Sequence, residues 1–545
     1  MRLAISILLL AASAFAQTYD LVVYGATAGG VMTAVAASRQ GLKTVLLEPG
    51  THVGGMATSG LSRTDVGKRE VIGGLALEFY YRVGERYGMR RFNNPLAWFY
   101  EPHVGEEVMF DMLKDAGVTV LFHHRLREKN GVKKEGTKIV SIFTDDGSEF
   151  AAKVFADCSY EGDLTAQAGV SYTWGRESSS QYAESLAGVR ERTPYHQFLI
   201  DIPARDEKGN VLPEISTEPR GQPGSADKKV QAYNFRVIAT NDPANRLPWP
   251  KPANYNAARY ELLARYLEAL PTKLGRDLVF YDVALISLIP NHKADINNMG
   301  PFSTDYIGGS YDYPNATYAQ REKIWQQHAD YVQGFFYFLA SDARVPKSLQ
   351  SEVREWGLPR DEFADSNHWP HQLYVREARR MVGDFVATQK DLQTDLLKSD
   401  AIGMGSYNSD SHNVQRIINE HGFVENEGDM QVPVTPYQIP YRAMLPKRSE
   451  ATNLLIPVCF SASHVAYSSL RMEPQYMILG HAAGVAAALA VRGDKSVQDV
   501  PVAELQKLLK DQGAIFHYQR TEQNDALDKL REQMKPKGPE RLSWE

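Results

Sequence analysis

The run SYNSDSHN, residues 406–413, holds the side chains best suited to catalysis. Histidine is the usual acid–base residue near neutral pH, so His412 is a candidate base that takes a proton from a substrate. Asp410 could orient it only in a loop, because residues two apart do not face each other on a helix. We therefore predict a polar turn between helical segments. The alternative is a hydrogen-bonded loop with a structural role.

The arginines of LYVREARRMVGDF, residues 373–385, form a second candidate group. Arg376 and Arg380 are four residues apart and would share one face of a helix. Such a face could bind a carboxylate or phosphate through two hydrogen bonds, which makes Arg376 a candidate substrate-orienting residue. The alternative is a helix with salt bridges to Glu377 and Asp384.

A polar, glycine-ended run covers residues 293–300 and contains Asn297 and Asn298. Phe302 and Tyr306 follow it closely. Amide groups and aromatic planes suit sugar-like ligands, so this run suggests a polyol or carbohydrate substrate.

The N-terminal region predicts the elements that position such residues. YDLVVYG, from Tyr19, has the pattern of a strand buried in a parallel sheet. A glycine-rich turn, an alanine-rich helix over 31–40 and a second strand over 43–47 follow, ending at Glu48. This order is typical of a dinucleotide-binding βαβ unit.

Each part of this unit has a chemical role. Amides and the dipole at the start of the helix bind a diphosphate, and Glu48 accepts hydrogen bonds from a ribose. The Glu48 charge would repel a 2′-phosphate, which disfavours NADP. The middle glycine of G-x-G-x-x-G is replaced by Thr27. The predicted contact residues of the unit are Gly25, Thr27, Ala28, Gly29, Gly30 and Glu48.

Three further segments carry the resemblance, described next, that favours FAD over NAD. A loop with Gly54, Gly55 and Met56 follows Glu48. A strand ends at Asp157 and is followed by a turn at Gly162. A third segment, residues 453–492, contains a strand, His464, Glu473 and a helix beginning at Gly480-His481.

Together these segments resemble the glutathione-reductase-like flavoproteins, and specifically the broad family of bacterial FAD-dependent oxidoreductases. Some members of that family carry the label "xanthan lyase". The resemblance covers residues 19 to 492 and includes GATAGGVMTAVAA, GGMATSGL, NNMGPFSTDYIGGSYDYP and RMEPQYMILGHAAG. It implies that the loop of Gly54, Gly55 and Met56, the turn of Asp157 and Gly162, and Glu473, Gly480 and His481 all serve the cofactor.

Two histidines gain a role from this resemblance. His464 precedes the final helix near the flavin, so it is a second candidate catalytic residue, with cofactor ligand and packing residue as alternatives. His52 lies in a loop through which some related flavoproteins tether FAD covalently; an ordinary loop histidine is the alternative.

The resemblance implies a dehydrogenase or oxidase that moves a hydride from a CH–OH or CH–CH group of a small molecule to FAD. The substrate could be a sugar derivative, and the electron acceptor is unknown. Two other functions stay open: a carbohydrate-active lyase with a structural flavin, and a non-catalytic flavin-carrying protein.

We predict an α/β fold with a Rossmann-like FAD-binding domain of glutathione-reductase type. This domain uses residues 18–170 plus 430–492. A mainly α-helical substrate lobe, 171–429, is inserted into it, and a tail over 493–545 carries an amphipathic helix near 503–511.

The bulk properties limit location and partners. Residues 1–16 read as a Sec-type signal peptide, which predicts a periplasmic or secreted protein. No later stretch is expected to cross a membrane. A net charge of −6 gives no basic surface for nucleic acid. Cys158 and Cys459 are expected to be buried and unpaired, with a disulfide as the alternative, and no metal site is predicted.

Overall fold

The computed structural model describes residues 17–91, 95–519 and 521. The predicted signal peptide, residues 1–16, lies outside them, as does most of the charged end of the tail. The prediction of export therefore stays a prediction.

The described residues form twenty strands and eleven α-helices. The strands are β1 Gln17–Tyr24, β2 Thr44–Glu48, β3 Thr119–Phe122, β4 Val132–Glu135, β5 Lys138–Phe143, β6 Glu149–Asp157, β7 Tyr172–Thr173, β8 Val237–Thr240, β9 Arg246–Leu247, β10 Ala284–Ile289, β11 Lys293–Asn298, β12 Leu358–Pro359, β13 Arg380–Met381, β14 Ala401–Gly405, β15 Ser409–Ser411, β16 Gln415–Ile418, β17 Val424–Glu427, β18 Met430–Val432, β19 Tyr437–Pro440 and β20 Leu454–Leu455. The α-helices are α1 Ala28–Arg39, α2 Gly74–Arg86, α3 Pro102–Asp115, α4 Asp163–Gln167, α5 Glu261–Leu274, α6 Tyr318–Ser341, α7 Lys347–Glu355, α8 Gln389–Gln393, α9 His464–Leu470, α10 Glu473–Gly493 and α11 Val502–Asp511.

A seven-stranded sheet forms the centre of the nucleotide-binding region, in the order β3-β2-β1-β6-β5-β4 with β20 also beside β6. The pairs β1–β2, β2–β3, β1–β6 and β6–β20 are parallel, whereas β4 and β5 are antiparallel to their neighbours. Leu21, Val22 and Val23 of β1 are fully buried, as expected of a parallel strand covered on both faces. The predicted βαβ unit is confirmed.

Helices α1 and α10 pack against each other at glycines. A Cβ added at Gly480 would overlap the carbonyl oxygen of Gly29, and one added at Gly484 would overlap that of Thr33. Only glycine permits so close an approach of the two backbones. The first half of α10 is thereby held against the beginning of α1, beside the turn that follows β1.

Helix α10 is longer than predicted, since it begins at Glu473 rather than Gly480. By length and composition alone it could cross a membrane, which the sequence pattern did not indicate. Within the structure 83% of its most apolar window is buried, as expected of a core helix.

The predicted mainly helical character of residues 171–429 is wrong. This region, which the structure describes completely, contains four α-helices and eleven strands. β8, β11 and β10 form a three-stranded antiparallel sheet, and most of the other strands make two-stranded pairs. Helix α6, with 24 residues, is the longest of the four helices. Strands of two to six residues are too short to show an alternating pattern in the sequence.

Two local predictions also need correction. Residues 374–379 are not helical, and Arg380 begins strand β13, so Arg376 and Arg380 share no helix face. Each of the three arginines has its own acidic partner in a different part of the chain: Arg376 pairs with Asp305, Arg379 with Asp163 and Arg380 with Glu177. These tertiary ion pairs outweigh the helix-like spacing. Residues 406–413 lie between strands β14 and β16, not between helices.

Candidate functional site

A cavity of about 160 Å³ lies where the turn after β1 meets the end of β2. We call it the dinucleotide cavity. It is lined by Ala26, Thr27, Glu48, Gly50, Thr51, His52, Gly55, His371 and Gln372. Most of these residues belong to the segments in which the sequence predicts a nucleotide site.

Thr27 occupies the position of the middle glycine of the motif and has a different function there. Its φ is −60°, which any residue can adopt, and its side chain caps helix α1 by accepting a hydrogen bond from the Gly30 N–H at 3.2 Å. The hydroxyl also donates to the Cys158 carbonyl at 2.8 Å. The substitution therefore fixes the turn rather than weakening it.

Glycine is required on either side of Thr27. Gly25 has a φ of +91°, and a Cβ there would lie 2.8 Å from the Ser159 nitrogen. A Cβ at Gly30 would overlap the Gly25 carbonyl oxygen. Ala28, Gly29 and Gly30 form the first turn of α1, where a diphosphate binds in such folds.

Glu48 ends β2 with its carboxylate at the cavity wall. It accepts hydrogen bonds from the N–H groups of Ala26 at 2.8 Å and Gly50 at 2.7 Å. Burial, only partly offset by these donors, raises the pKa of Glu48 to about 7. A ribose hydroxyl is a suitable further partner for this carboxylate.

The loop after Glu48 is held at both ends. The Gly54 N–H donates to the Ala26 carbonyl at 2.6 Å. The Met56 N–H donates at 3.0 Å to the Tyr160 hydroxyl, which itself donates to Glu473 at 2.7 Å. Burial raises the pKa of Glu473 to about 8. Its other carboxylate oxygen, Oε2, has no hydrogen-bond partner in the described part of the chain.

Both ring nitrogens of His52 are engaged. Nδ1 lies 3.0 Å from Glu106 and Nε2 lies 3.0 Å from Asp365. The hydrogen bond to Glu106 raises the pKa of His52. Such a histidine is held as an ion-pair partner, and this arrangement does not favour a covalent tether to FAD.

Three other predicted cofactor residues organise the surroundings of the cavity. Asp157 is buried and accepts hydrogen bonds from Ser159 and Thr165, which holds the turn after β6. Gly162 starts helix α4 within that turn. Gly480 provides the contact between α10 and α1.

The prediction that His481 contacts FAD needs correction. Its Nε2 lies 2.8 Å from Gln512, just beyond helix α11, and the residue lines a separate small cavity with Val71 and Ala514. Successive residues on a helix point about 100° apart. Because Gly480 faces α1, the next residue faces elsewhere.

A second cavity has a volume of about 190 Å³ and is lined mainly by residues of the inserted lobe. We call it the polar cavity. It is lined by Asp65, Tyr195, His196, Arg236, Leu285, Asn297, Asn298, Met299, Tyr374, Tyr407, Asp410, His412 and Gln431. It contains His412 and the asparagines that the sequence suggests for a sugar-like ligand.

The loop over residues 54–65 connects the two cavities. Gly55 lines the first cavity and Asp65 lines the second. Between them, Gly60 lies so close to the Arg236 carbonyl that a Cβ there would overlap it. The polar cavity also adjoins the start of α10, because Arg471 contacts Tyr374 at 3.2 Å and Asp410 at 3.2 Å.

His412 is oriented by a residue that sequence reasoning did not identify. Its Nδ1 lies 2.6 Å from Asp305 Oδ2, whereas Asp410 is 3.7 Å from Nε2. Asp305 Oδ1 in turn accepts from Arg376 Nη2 at 2.9 Å. Burial alone would raise the pKa of Asp305, but the charges of Arg376 and His412 lower it to about 2. Asp305, not Asp410, is the partner that fixes the ring.

Arg376 does not orient a substrate directly. Its side chain is fully buried, is not among the residues lining either cavity, and donates to the Ala232 carbonyl as well as to Asp305. It acts on the polar cavity through Asp305. The arginine at the cavity wall is Arg236, which Asp295 holds through Nε at 2.8 Å and Nη2 at 2.7 Å.

His464 lies at the start of α9 and is not among the residues that line either cavity. Its Nδ1 is 2.8 Å from Glu377 Oε2 and its backbone N–H donates to Glu177 at 2.9 Å. The ring is buried within this group of charges. The structure therefore gives His464 a structural contact rather than access to a substrate.

Two other groups of residues have side chains that could do chemistry: the two cysteines and a cluster of possible metal ligands. Cys158 and Cys459 are buried and free. Glu101, His103 and Glu362 are close enough together to hold a metal ion. However, the Lys293 ammonium lies 2.7 Å from Glu101 and 2.8 Å from Glu362, so a cation already neutralises this group.

The dinucleotide cavity fits FAD by its own chemistry. It combines a capped helix start, a partly buried carboxylate at a strand end, and two buried ring nitrogens of His371 without hydrogen-bond partners among the described residues. Sequence reasoning missed His371, Asp305 and Arg236. Asp305 lies within NNMGPFSTDYIGGSYDYP, one of the segments that carry the family resemblance, but nothing in the spacing of the three residues marks a function.

Solved structures share short stretches with this chain. OxyS anhydrotetracycline hydroxylase from Streptomyces rimosus is 16% identical over 34% of this chain and 43% of its own, with a TM-score of 0.24. The myxobacterial chondrochloren halogenase CndH is 17% identical over 29% and 41%, with a TM-score of 0.22. Lactococcus lactis thioredoxin reductase is 22% identical over 26% and 34%, with a TM-score of 0.17. The chain thus spans less than half of each of these proteins, and such distant likenesses say nothing about its substrate.

No curated protein sequence matches the chain significantly. A family model described as "FAD dependent oxidoreductase" matches residues 20–509, which is most of the described chain. Because this match includes both cavities and the loop between them, the protein is an FAD-dependent enzyme that belongs to the FAD dependent oxidoreductase family.

Proposed function

We propose that the protein oxidises a CH–OH group of a small polyhydroxy compound, such as a sugar derivative, with His412 as the base. The observation that carries this proposal is the hydrogen-bonded series Arg376–Asp305–His412, which ends at the wall of the polar cavity. Bound FAD supplies a hydride acceptor for such a reaction.

His412 has one ring nitrogen available for the substrate. Since Nδ1 donates to Asp305, Nε2 is the nitrogen that can accept a proton from a hydroxyl in the cavity. Asp305 fixes the ring and stabilises the imidazolium that results. Arg376 keeps Asp305 ionised, because it lowers the pKa of that carboxyl.

The remaining cavity wall suits a neutral, hydroxyl-rich ligand. Asn297 and Asn298 offer amide groups, and the Asn297 Oδ1 atom is buried without a hydrogen-bond partner in the described chain. Arg236 presents the guanidinium nitrogen that Asp295 does not hold. A volume of about 190 Å³ is suited to a small molecule rather than a polymer.

Action outside the cytoplasm is part of the proposal and depends on reading residues 1–16 as an export signal. Cell fractionation tests it: the proposal expects the protein in the periplasm or medium, with a mass reduced by the removed segment. Full-length protein in the cytoplasm would contradict it.

Anaerobic reduction of the flavin by candidate substrates tests the proposed reaction. We expect bleaching of the flavin absorbance by at least one polyol, sugar or hydroxy acid, and no bleaching by compounds that lack a CH–OH group. If none of these classes reduces the flavin, the proposal fails.

The lyase alternative gives a different signal in the same experiment. It expects unsaturated uronate products that absorb in the ultraviolet, without a change in the flavin spectrum. A flavin-carrying protein without catalysis would give neither signal.

A further inference from the structure

His371 lies in the dinucleotide cavity but belongs to a distant part of the sequence. Its neighbours along the cavity wall include Thr27, Glu48 and Gly55. Those residues come from the N-terminal βαβ unit and its loop, whereas His371 follows the segment 361–370 of the inserted lobe. The cavity is thus closed by a segment that no nucleotide-binding motif includes.

The segment over 361–372, which we call the bridging segment, is attached to the N-terminal region at several points. Glu362 lies 2.7 Å from the His103 Nδ1 atom, and Asp365 lies 3.0 Å from His52 Nε2. At the other end, the Gln372 N–H donates to the Ser59 hydroxyl at 2.9 Å. These contacts fix the position of the His371 ring over the cavity.

The two ring nitrogens of His371 are buried but lack hydrogen bonds within the described chain, although the residue as a whole is only partly buried. Both of its nitrogens are inaccessible and have no partner among the described residues. One face stacks on His52, with the ring centres 3.9 Å apart and the planes 12° from parallel. Burying two unpaired nitrogens costs stability, so a site of this kind usually has a partner that the protein alone does not provide.

The charge state of the ring suits a ligand that offers both a hydrogen-bond acceptor and a hydrogen-bond donor. Burial lowers the pKa of His371 to about 3, and His52 beside it adds to this effect. The ring is therefore neutral and carries one N–H donor and one acceptor nitrogen. A diphosphate oxygen can accept from the donor, and a ribose hydroxyl can donate to the acceptor.

We propose that His371 is an FAD-binding residue that hydrogen-bonds the diphosphate–ribose part of the cofactor, so that the inserted lobe completes the FAD site. This inference does not depend on the reaction proposed above, because it concerns retention of the cofactor. His371 acts here beside Glu48 and the start of α1 rather than near the substrate.

The test dilutes the holoenzyme and measures the rate of FAD release from the fluorescence of free FAD. His371→Phe keeps an aromatic ring that can stack on His52 but removes both nitrogens. We expect it to release FAD about ten to a hundred times faster, as expected for loss of a hydrogen bond to a charged group. His371→Gln keeps a donor and an acceptor and is expected to stay within about threefold of the unmodified protein. His421→Phe, at an exposed site, is the control.

A second readout separates cofactor binding from a structural role. Because His371→Phe removes unpaired buried nitrogens, it should leave the melting temperature of FAD-free protein unchanged or raised, and reduce the increase caused by added FAD. Release at the unmodified rate by His371→Phe would overturn the proposal. Equally fast release by His371→Gln and His371→Phe, or equal destabilisation with and without FAD, would also overturn it.

Discussion

The two cavities are built in different ways. The dinucleotide cavity depends largely on backbone geometry: a positive φ at Gly25, the cap of α1 by Thr27 and the N–H groups that hold Glu48. The polar cavity depends on side chains from distant strands and loops, held by buried ion pairs such as Arg376–Asp305. Apart from His371 and Gln372, the first is specified by residues that are close in sequence, whereas the second is specified only by the tertiary fold.

This difference predicts how each cavity fails. A change in the backbone turns of the dinucleotide cavity should affect cofactor retention and stability, because it alters the path of the chain. A change in the polar cavity should affect the reaction and leave the FAD content intact. The predictions below test this division.

The largest effect is expected at His412. His412→Gln should lower the rate of flavin reduction by substrate about 10²- to 10⁴-fold, because it removes the base, while FAD content stays the same. Anaerobic stopped-flow absorbance measures the rate. His464→Gln, at a histidine outside both cavities, is the matched comparison and should lose far less activity when folded. A rate for His412→Gln close to that of the unmodified protein would contradict the assignment.

A smaller effect, on stability, is expected at Gly25. Gly25→Ala combines a strained φ with a close contact to the Ser159 nitrogen, and should lower the free energy of unfolding by about 2–4 kcal/mol and reduce FAD content. Gly41 also has a positive φ, +87°, but a Cβ there meets nothing within 4 Å. Gly41→Ala should therefore cost only about 1 kcal/mol and keep FAD. Urea unfolding and the ratio of flavin to protein absorbance check both values. Equal losses in the two variants would show that the close contact is unimportant.

The raised pKa of Glu473 predicts that the stability of the protein depends on pH. Because burial raises its folded-state pKa from 4.5 to about 8, its contribution to stability is complete below pH 4.5 and is lost as the pH rises to 8. Glu473→Gln should match the unmodified protein at pH 5 and exceed its stability at pH 9 by an amount on the order of a few kcal/mol. Unfolding at both pH values measures this difference. A difference that does not change with pH would contradict the buried, neutral carboxyl.

The smallest effect is expected at Thr27. Thr27→Ala removes the cap of α1 and should cost about 1 kcal/mol of stability and speed FAD release. Thr317→Ala removes the equivalent cap of α6, where Thr317 accepts from the Gln320 N–H. It should cost a similar free energy without changing FAD release. Unchanged FAD release by Thr27→Ala would show that the cap of α1 does not contribute to cofactor binding.

The same division explains how much could be predicted from the sequence. The sequence predicts the βαβ unit and Glu48 because glycine turns and strand patterns are local signals, and the role of the Gly54–Gly55 loop follows from the family resemblance. His412, Asn297 and Asn298 were singled out by residue type. Asp305 could not be found as the partner of His412, because 107 residues separate them and only the fold brings them together.

The predictions that proved wrong have the same cause, because a local sequence pattern does not show contacts with distant residues. Arg376 and Arg380 have helical spacing, but their ion pairs with distant acids hold an extended chain. His481 directly follows the glycine that contacts α1, and the rotation of the helix places its side chain on a different side of α10. In both cases a local pattern was outweighed by packing with distant residues.

The central claim is that the two cavities are the two ends of one FAD-and-substrate site, joined by the loop over 54–65. A crystal structure of the FAD-loaded protein measures this most directly. We expect the diphosphate beside Thr27 and His371, and the flavin ring at the wall of the polar cavity facing His412. A flavin ring bound away from Tyr374 and His412, with the polar cavity separated from it by protein, would contradict the account.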